Sequence, residues 1–462
     1  APGLDLSTIQ PQILRGYQAA TRPMKFTPNA SESNNWVVDG SVSASGKPML
    51  ASDPHRTIAV PSLRYLVHVH APGWNVIGSG EPGLPGVAIG HNENVAWGFT
   101  IVGTDQADLY VEQTNPAASH EYKVGDGWEP MRIVKEAISV KGRKEPVELE
   151  MRFTRHGPVI YQDSEKNVAV ALRWTGSEPG GAAYLGSLSV ARARDARDLV
   201  QRLEAWKVPC LNFVFADRQG DIGWVAAALT PVRQGWNGLL PVPGSEGKYE
   251  WQRFLKVSEL PQSFNPDRHF VATANHNILP PGYTREIAYD WDSPYRYQRI
   301  EQRLNERIGT STKFTLADFQ SIQHENRSLA AQQLIEILKA VTLPAELSPF
   351  VKLLTDWNGA MSRESAAAAL YSVWMQELQS DFYKLRLPKE TAADRGELRK
   401  LNVMFSQLAK PEPWLFGQDP RTARDDLLQK TLMRAVTRTR RPKAPRSTNR
   451  RAGATGGEVR PR

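Results

Sequence analysis

Cysteine is almost missing: Cys210 is the only one in 462 residues. That excludes a disulfide framework and a cysteine metal cluster, and it leaves the redox compartment unread. Long apolar runs are missing too. No uninterrupted stretch approaches the roughly 20 residues of a membrane-spanning helix, so no membrane insertion is expected. The chain opens on Ala1 with no charged-then-apolar leader behind it, and so reads as trimmed or fragmentary at its start. No Gly-x-Ser-x-Gly elbow and no His-Glu-x-x-His helix occurs, which disfavours α/β-hydrolase and zincin chemistry. Acidic residues all but vanish at the end: from Thr431 to Arg462 ten basic residues face Glu458 alone, a net of +9. The whole chain carries +8, so residues 1–430 sum to −1 and the basic isoelectric point says little about a substrate. No specific nucleic-acid partner is expected.

What is present suits a large core, in one domain or two, since 40% of the residues are apolar. Residues 1–32 form a lead-in whose end, Asn29-Ala30-Ser31-Glu32, is polar and reads as exposed and cleavable. From Trp36 the pattern becomes that of strands. Tyr65 to His70 alternates, Gly86 to Gly90 and Val168 to Leu172 are short apolar runs, and Asn212 to Ala216 with Ile222 to Val225 flank a polar, glycine-bearing turn that predicts a hairpin. Helical spacing appears from Asp195 to Trp206 and dominates after Tyr297, with Thr315 and Asp318 spaced as a capping box. Leu329 to Val341 and Ser365 to Gln379 are further helices. The fold class is therefore α+β. After Ala435 the chain has no aromatic residue and is rich in Arg, Pro, Ala, Gly and Thr, a composition expected to stay disordered.

Two patterns are set aside. Gly78-Ser79-Gly80-Glu81-Pro82-Gly83 has the letters of a dinucleotide fingerprint, but Pro82 and Pro85 leave no helix start to hold a phosphate, so no organic cofactor is expected. His68 and His70 share a strand face and could ligate a metal, but no third ligand lies nearby in sequence, which favours a structural or surface role.

The informative stretch is Ser33-Asn34-Asn35-Trp36-Val37-Val38, followed by Pro48-Met49-Leu50-Ala51-Ser52-Asp53-Pro54-His55. Pro85 to Glu93, Val95 to Thr100, Asp105 to Tyr110, Leu240 to Gly244 and Ala272 to Asn277 follow in order. Together these blocks resemble the β-subunit region of the penicillin acylase family, over Ser33 to about Arg296. The resemblance implies an N-terminal nucleophile hydrolase with an αββα sandwich core and an appended helical region. It divides the chain into 1–32, a remnant of the α-chain or propeptide; 33–300, the sheet core; 301–430, a helical region; and 431–462, a disordered basic tail.

The chemistry explains why a serine should begin a chain. A serine hydroxyl needs a base, and a free α-amine, with a pKa of about 7.7–8.0, is a base carried on the same residue. In this sequence that amine is locked in the Glu32–Ser33 bond. The resemblance implies self-cleavage there, hence a zymogen giving α and β chains, and an amide hydrolase acting on a small N-acyl substrate such as a β-lactam side-chain amide or an acyl-homoserine lactone. It further implies that the backbone N–H of Ile101 and the side chain of Asn275 bind the oxyanion, that His55 orients the serine, and that Arg296 stands near the site. Arg56, Ile89 and Phe99 fall at pocket-lining positions, the last two favouring an apolar acyl group. Asp105, the carbonyl of Ala107 and Asp108 match a structural calcium segment, although Arg285 stands where a later aspartate is usual. An exported, periplasmic site follows by resemblance. Family members have a longer α subunit before the nucleophile and a longer continuation after it; the abrupt change near the end suggests an out-of-frame reading of a GC-rich gene. The competing reading is a truncated, inactive remnant whose basic tail binds polyanions nonspecifically.

Overall fold

The computed structural model describes residues 12–13, 16–17, 32–56, 58–386 and 401–440. The lead-in before Glu32, apart from four residues, and the tail beyond 440 therefore lie outside the description. The chain falls into two compact units, Ala1–Glu325 and Asn326–Arg462.

Alternation builds the first unit. Strand Ser33–Val38 is the middle of a three-stranded antiparallel sheet, with Met49–Pro54 on one side and Phe270–Thr273 on the other. Trp36, Val38, Ala51, Phe270 and Ala272 face one way, onto Ile300 and Leu304 of helix Tyr295–Ile308 and Phe319 and Ile322 of helix Leu316–Gln323. Val37 and Val271, one residue out of phase, face the other way, onto Val214, Ala216, Ile222, Trp224 and Ala226. Those belong to a seven-stranded sheet ordered Gln262–Phe264, Ile222–Ala227, Leu211–Asp217, Val95–Ile101, Ile89–Asn92, Trp74–Gly80 and Tyr65–Ala71. Its far face carries Trp97, Phe99, Phe213 and Phe215 against Leu199 and Leu203 of the segment around helix Ala196–Arg202. The order of layers is helix, sheet, sheet, helix, the αββα arrangement. Inner strands buried on both faces read as continuous apolar runs, and each fully buried large side chain contributes about 2 kcal/mol. Close approach of the sheets needs Gly98, where a Cβ would come within 2.6 Å of Ser52 Cβ.

A third sheet is ordered Arg132–Ile138, Val147–Thr154, Gly157–Asp163, Val168–Trp174, Ala107–Asn115, Ala118–Val124 and Gly127–Pro130, with Val242–Pro243 parallel to Ala107–Asn115. The 212–225 hairpin forms as Leu211–Asp217 with Ile222–Ala227. The capping box forms as well: Asp318 Oδ2 accepts from Thr315 N at 2.8 Å and Asp318 N donates to Thr315 Oγ1 at 3.3 Å. Gly78-Ser79-Gly80 lies inside strand Trp74–Gly80, with no helix starting after it. His68 Nε2 meets Asn75 Oδ1 at 2.8 Å. No helix of the described residues is long and apolar enough to cross a membrane.

Helices Leu329–Lys339, Ser348–Thr355, Ala366–Arg386, Leu401–Ala409, Pro413–Phe416 and Pro420–Arg440 make up the described part of the second unit. The units part between Glu325 and Asn326, later than the 300/301 boundary read from sequence, because Ile300, Leu304, Phe319 and Ile322 pack onto the three-stranded sheet. The expectation of disorder from residue 431 is corrected for 431–440, which are helical. Leu428, Leu432, Ala435 and Val436 recur at helical spacing and are buried. Arg434 and Arg438 are not a loose charge run but pair with Glu377 and Asp381 of helix Ala366–Arg386.

Candidate active site

Two strand ladders determine where Ser33 sits. On one side Ser33 pairs with Pro54, and the pairing runs one residue further, with His55 N donating to Glu32 O at 2.9 Å. On the other side Asn35 pairs with Thr273, so two residues on, the ladder points Ser33 at Asn275. The backbone of Asn275 leaves the strand at φ 62°, a left-handed conformation that asparagine tolerates better than most residues. Its side chain replaces the missing ladder bond, and Ser33 N donates to Asn275 Oδ1 at 2.9 Å. Ser33 is only 2% exposed, and its hydroxyl donates to Glu32 O at 2.6 Å. That one carbonyl oxygen therefore accepts from both the Ser33 hydroxyl and the His55 amide.

Asn275 Nδ2 donates to Ile101 O at 2.8 Å. Arg296, in the first turn of helix Tyr295–Ile308, spans the whole group. Its Nη1 donates to Ser33 O at 2.8 Å and Asn34 Oδ1 at 2.7 Å, its Nη2 donates to Asn275 Oδ1 at 3.0 Å, and its Nε lies 3.3 Å from the Glu32 carboxylate. These contacts bring Ser33, His55, Ile101, Asn275 and Arg296 together, although the first and last are 263 residues apart.

Electrostatics favour a charged imidazole in the uncleaved chain. His55 Nε2 is 3.4 Å from Asp53 Oδ2 and Nδ1 is 3.9 Å from Glu32 Oε2. Hydrogen bonding to Asp53 and then to Glu32 outweighs partial burial and raises His55 to about 9. His55 and Arg296 in turn hold the Glu32 carboxyl below its ordinary range against a burial effect that opposes them. Asn34 Oδ1 accepts from Arg296, and Asn34 Nδ2 stands 3.3 Å from His55 Nε2. His276, beside Asn275, is pushed down to about 3 by burial and stacks on Tyr297 at 3.7 Å, so it stays neutral.

Several of these partners carry no sequence signal of their own. Thr100 Oγ1 meets Thr273 Oγ1 at 2.7 Å, Thr273 Oγ1 also donates to Asn35 Oδ1, and Asn212 Nδ2 donates to Thr100 Oγ1 at 3.2 Å. This buried polar chain ties the two sheets together behind Ser33, yet its members look like ordinary strand residues. Asp53 was within reach, since residues two apart on a strand share a face with His55.

Of the pocket candidates, Arg56 Nη1 donates to His55 O at 3.0 Å. Phe99 packs with Tyr184, Trp206 and Phe213, and Arg64 lies 5.7 Å from its ring. Ile89 and Ile101 pack on that same cluster. Phe99 and Ile89 thus share a wall with the residue whose carbonyl holds Asn275; no direct contact with Ser33 is among those described.

Asp105 and Asp108 converge, but on a side chain. Arg233 Nε lies 2.7 Å from Asp108 Oδ2, and its Nη2 is 3.3 Å from both Asp105 Oδ2 and Asp105 O. Trp251 Nε1 donates to Asp108 Oδ2 at 2.6 Å. Arg285 points elsewhere, to Glu259 at 2.8 Å. Calcium takes six to eight oxygens at about 2.3–2.6 Å. The donor set here does not fit that ion, because a guanidinium fills the space between the carboxylates.

The penicillin amidase family model matches residues 5–456. Among curated relatives, the acyl-homoserine lactone acylase QuiP of Pseudomonas aeruginosa is 28% identical over 442 residues, covering 89% of this chain and 51% of that protein. The penicillin acylase 2 proenzyme of Pseudomonas sp. (strain SE83) is 30% identical over 351 residues, covering 75% and 44%. The chain thus spans about half the length of the curated relatives it matches. The structure of a thermostable penicillin G acylase from Alcaligenes faecalis superposes with a TM-score of 0.72 at 21% identity, covering 88% of this chain and 78% of that one, a likeness of fold.

Proposed function

The chain belongs to the penicillin amidase family, and from that premise we propose that it is the nucleophile-bearing part of an acylase, which hydrolyses the amide of an N-acylated small molecule once the Glu32–Ser33 bond is cut. One observation carries the reading: the Ser33 hydroxyl lies 2.6 Å from Glu32 O, which also accepts the His55 amide, while Ser33 N rests on Asn275.

Those contacts support the following self-cleavage. Ser33 Oγ adds to the Glu32 carbonyl carbon, and the oxyanion forms where the His55 N–H already donates. The C–N bond breaks, the hydroxyl proton passes to the departing nitrogen, and an ester joins Glu32 to Ser33 Oγ. Water hydrolyses that ester, freeing the Glu32 carboxylate and leaving Ser33 with an α-amine held by Asn275 Oδ1. In turnover this amine takes the Ser33 proton while Oγ attacks the substrate amide. Ile101 N–H and Asn275 Nδ2 stabilise the oxyanion, the amine product leaves with the proton, and water releases the acyl group. Asn275 Nδ2 reaches that role by letting go of Ile101 O.

β-Lactam side-chain amides and acyl-homoserine lactones are the substrate classes this reading carries, with an exported α/β pair as the working form. The test is amine release from a medium-chain acyl-homoserine lactone and from a penicillin, followed by fluorescamine. Release by the wild-type chain and none by Ser33→Ala is expected; equal release by both would overturn the assignment.

A further inference from the structure

We infer that Arg233 is the built-in structural cation of the Asp105–Asp108 pair, so that this chain takes no divalent metal ion there. The inference is independent of the acylase reading. Arg233 ends strand Pro231–Arg233, and its side chain is 5% exposed, with that of Asp108 at 1%. A charge so buried persists only when paired and hydrogen-bonded. The guanidinium has donors in a rigid plane and spends them on Asp108 Oδ2 and Asp105 Oδ2, carboxylate oxygens a metal would otherwise gather, and on the backbone Asp105 O.

The surroundings are shaped to this group. Its ring-side face lies 5.6 Å from the centre of Trp236, a contact a planar cation exploits. Gly238, at φ 79°, closes the cage: a Cβ there would lie 2.7 Å from Arg233 Nε and 2.8 Å from Asp105 Oδ2. No side chain fits at 238 while the arginine is in place.

The location gives the cation a task. Asp105 follows Ile101 by four residues, and its N–H donates to Ile287 O at 2.8 Å. From Ile287 the chain runs to Asp292, whose N donates to Asn275 O at 2.9 Å, and on to Arg296. The guanidinium therefore holds Asp105, whose N–H reaches the segment that hydrogen-bonds Asn275 O and runs on to Arg296, from outside the reacting group.

Thermal unfolding of the purified chain tests this in EDTA and in millimolar calcium. The wild type is expected to unfold at the same temperature in both. Arg233→Ala strands two carboxylates and is expected to lose on the order of 10 °C, with calcium restoring part of the loss in the variant alone. Arg233→Lys keeps the charge without the fork, and should fold and unfold between the two should the alanine variant fail to fold. A wild type that loses several degrees in EDTA and regains them with calcium overturns the inference, as does an Arg233→Ala chain as stable as wild type.

Discussion

The backbone nitrogen of Ser33 donates to the side-chain oxygen of Asn275 at 2.9 Å, across 242 residues of sequence. The same asparagine sits at φ 62°, so its conformation and its amide serve one purpose. Two substitutions separate them. Asn275→Gly keeps the backbone freedom and removes the amide, and turnover should fall about 10²–10³-fold, the scale of one oxyanion donor. Asn275→Ala should lose as much turnover and be about 1 kcal/mol less stable than the glycine variant, because alanine tolerates the left-handed region less well than glycine. Steady-state kinetics with denaturant unfolding check both; unchanged kinetics in the glycine variant would remove Asn275 from the site.

His55 makes stability depend on pH. Its folded pKa is raised to about 9, against about 6.5 unfolded. The stability it contributes is therefore complete below about pH 6.5 and is lost as pH rises through 9. In uncleaved Ser33→Ala protein the unfolding temperature should fall over that window, and His55→Gln should flatten the slope. Glu32→Gln removes one of the two carboxylates and should lower the imidazole titration followed by NMR. A ring titrating near 6.5 in the Ser33→Ala chain would contradict the pairing.

A buried acid outside the Ser33 contacts gives a stability test. His156 Nδ1 meets Glu112 Oε1 at 2.7 Å and its Nε2 meets Glu250 Oε1 at 2.9 Å, with Tyr110 stacked at 3.8 Å. Glu112 is fully buried. His156→Leu leaves that carboxylate without its partner and should cost about 3–5 kcal/mol, read from urea unfolding. A loss within experimental error would mean that Glu112 is satisfied some other way.

The end of helix Pro420–Arg440 predicts a cost where composition alone suggested none. Leu432 is fully buried, and Trp374 Nε1 donates to Thr431 Oγ1 at 3.0 Å. Leu432→Ala should lose about 2–5 kcal/mol, measured by thermal or urea unfolding. A neutral effect would return 431–440 to the loose tail its arginines resemble.

These cases show what was legible. Ser33, His55 and Asn275 could be picked out because each lies in one of the ordered blocks that carry the resemblance, and Arg296 because it matches a position of the same family. The Thr315 cap was readable because its partner is three residues away. Glu32 looked like part of a polar linker, although its carboxylate reaches His55 and Arg296. Arg233 was invisible as a cation for Asp108 because 125 residues separate them. Arg434 and Arg438 read as a basic run because Glu377 and Asp381, which neutralise them, stand more than fifty residues earlier. Local pattern reveals elements; pairing across the fold decides which charges are spent.

The most direct measurement is the N-terminal sequence of purified protein, taken beside an acylase assay on the same sample. A new terminus reading Ser33-Asn34-Asn35-Trp36 in active material, and an uncut, inactive Ser33→Ala chain, is the predicted result. Acylase turnover by protein still joined between Glu32 and Ser33 would contradict the account, since no free amine would then be present to act as the base.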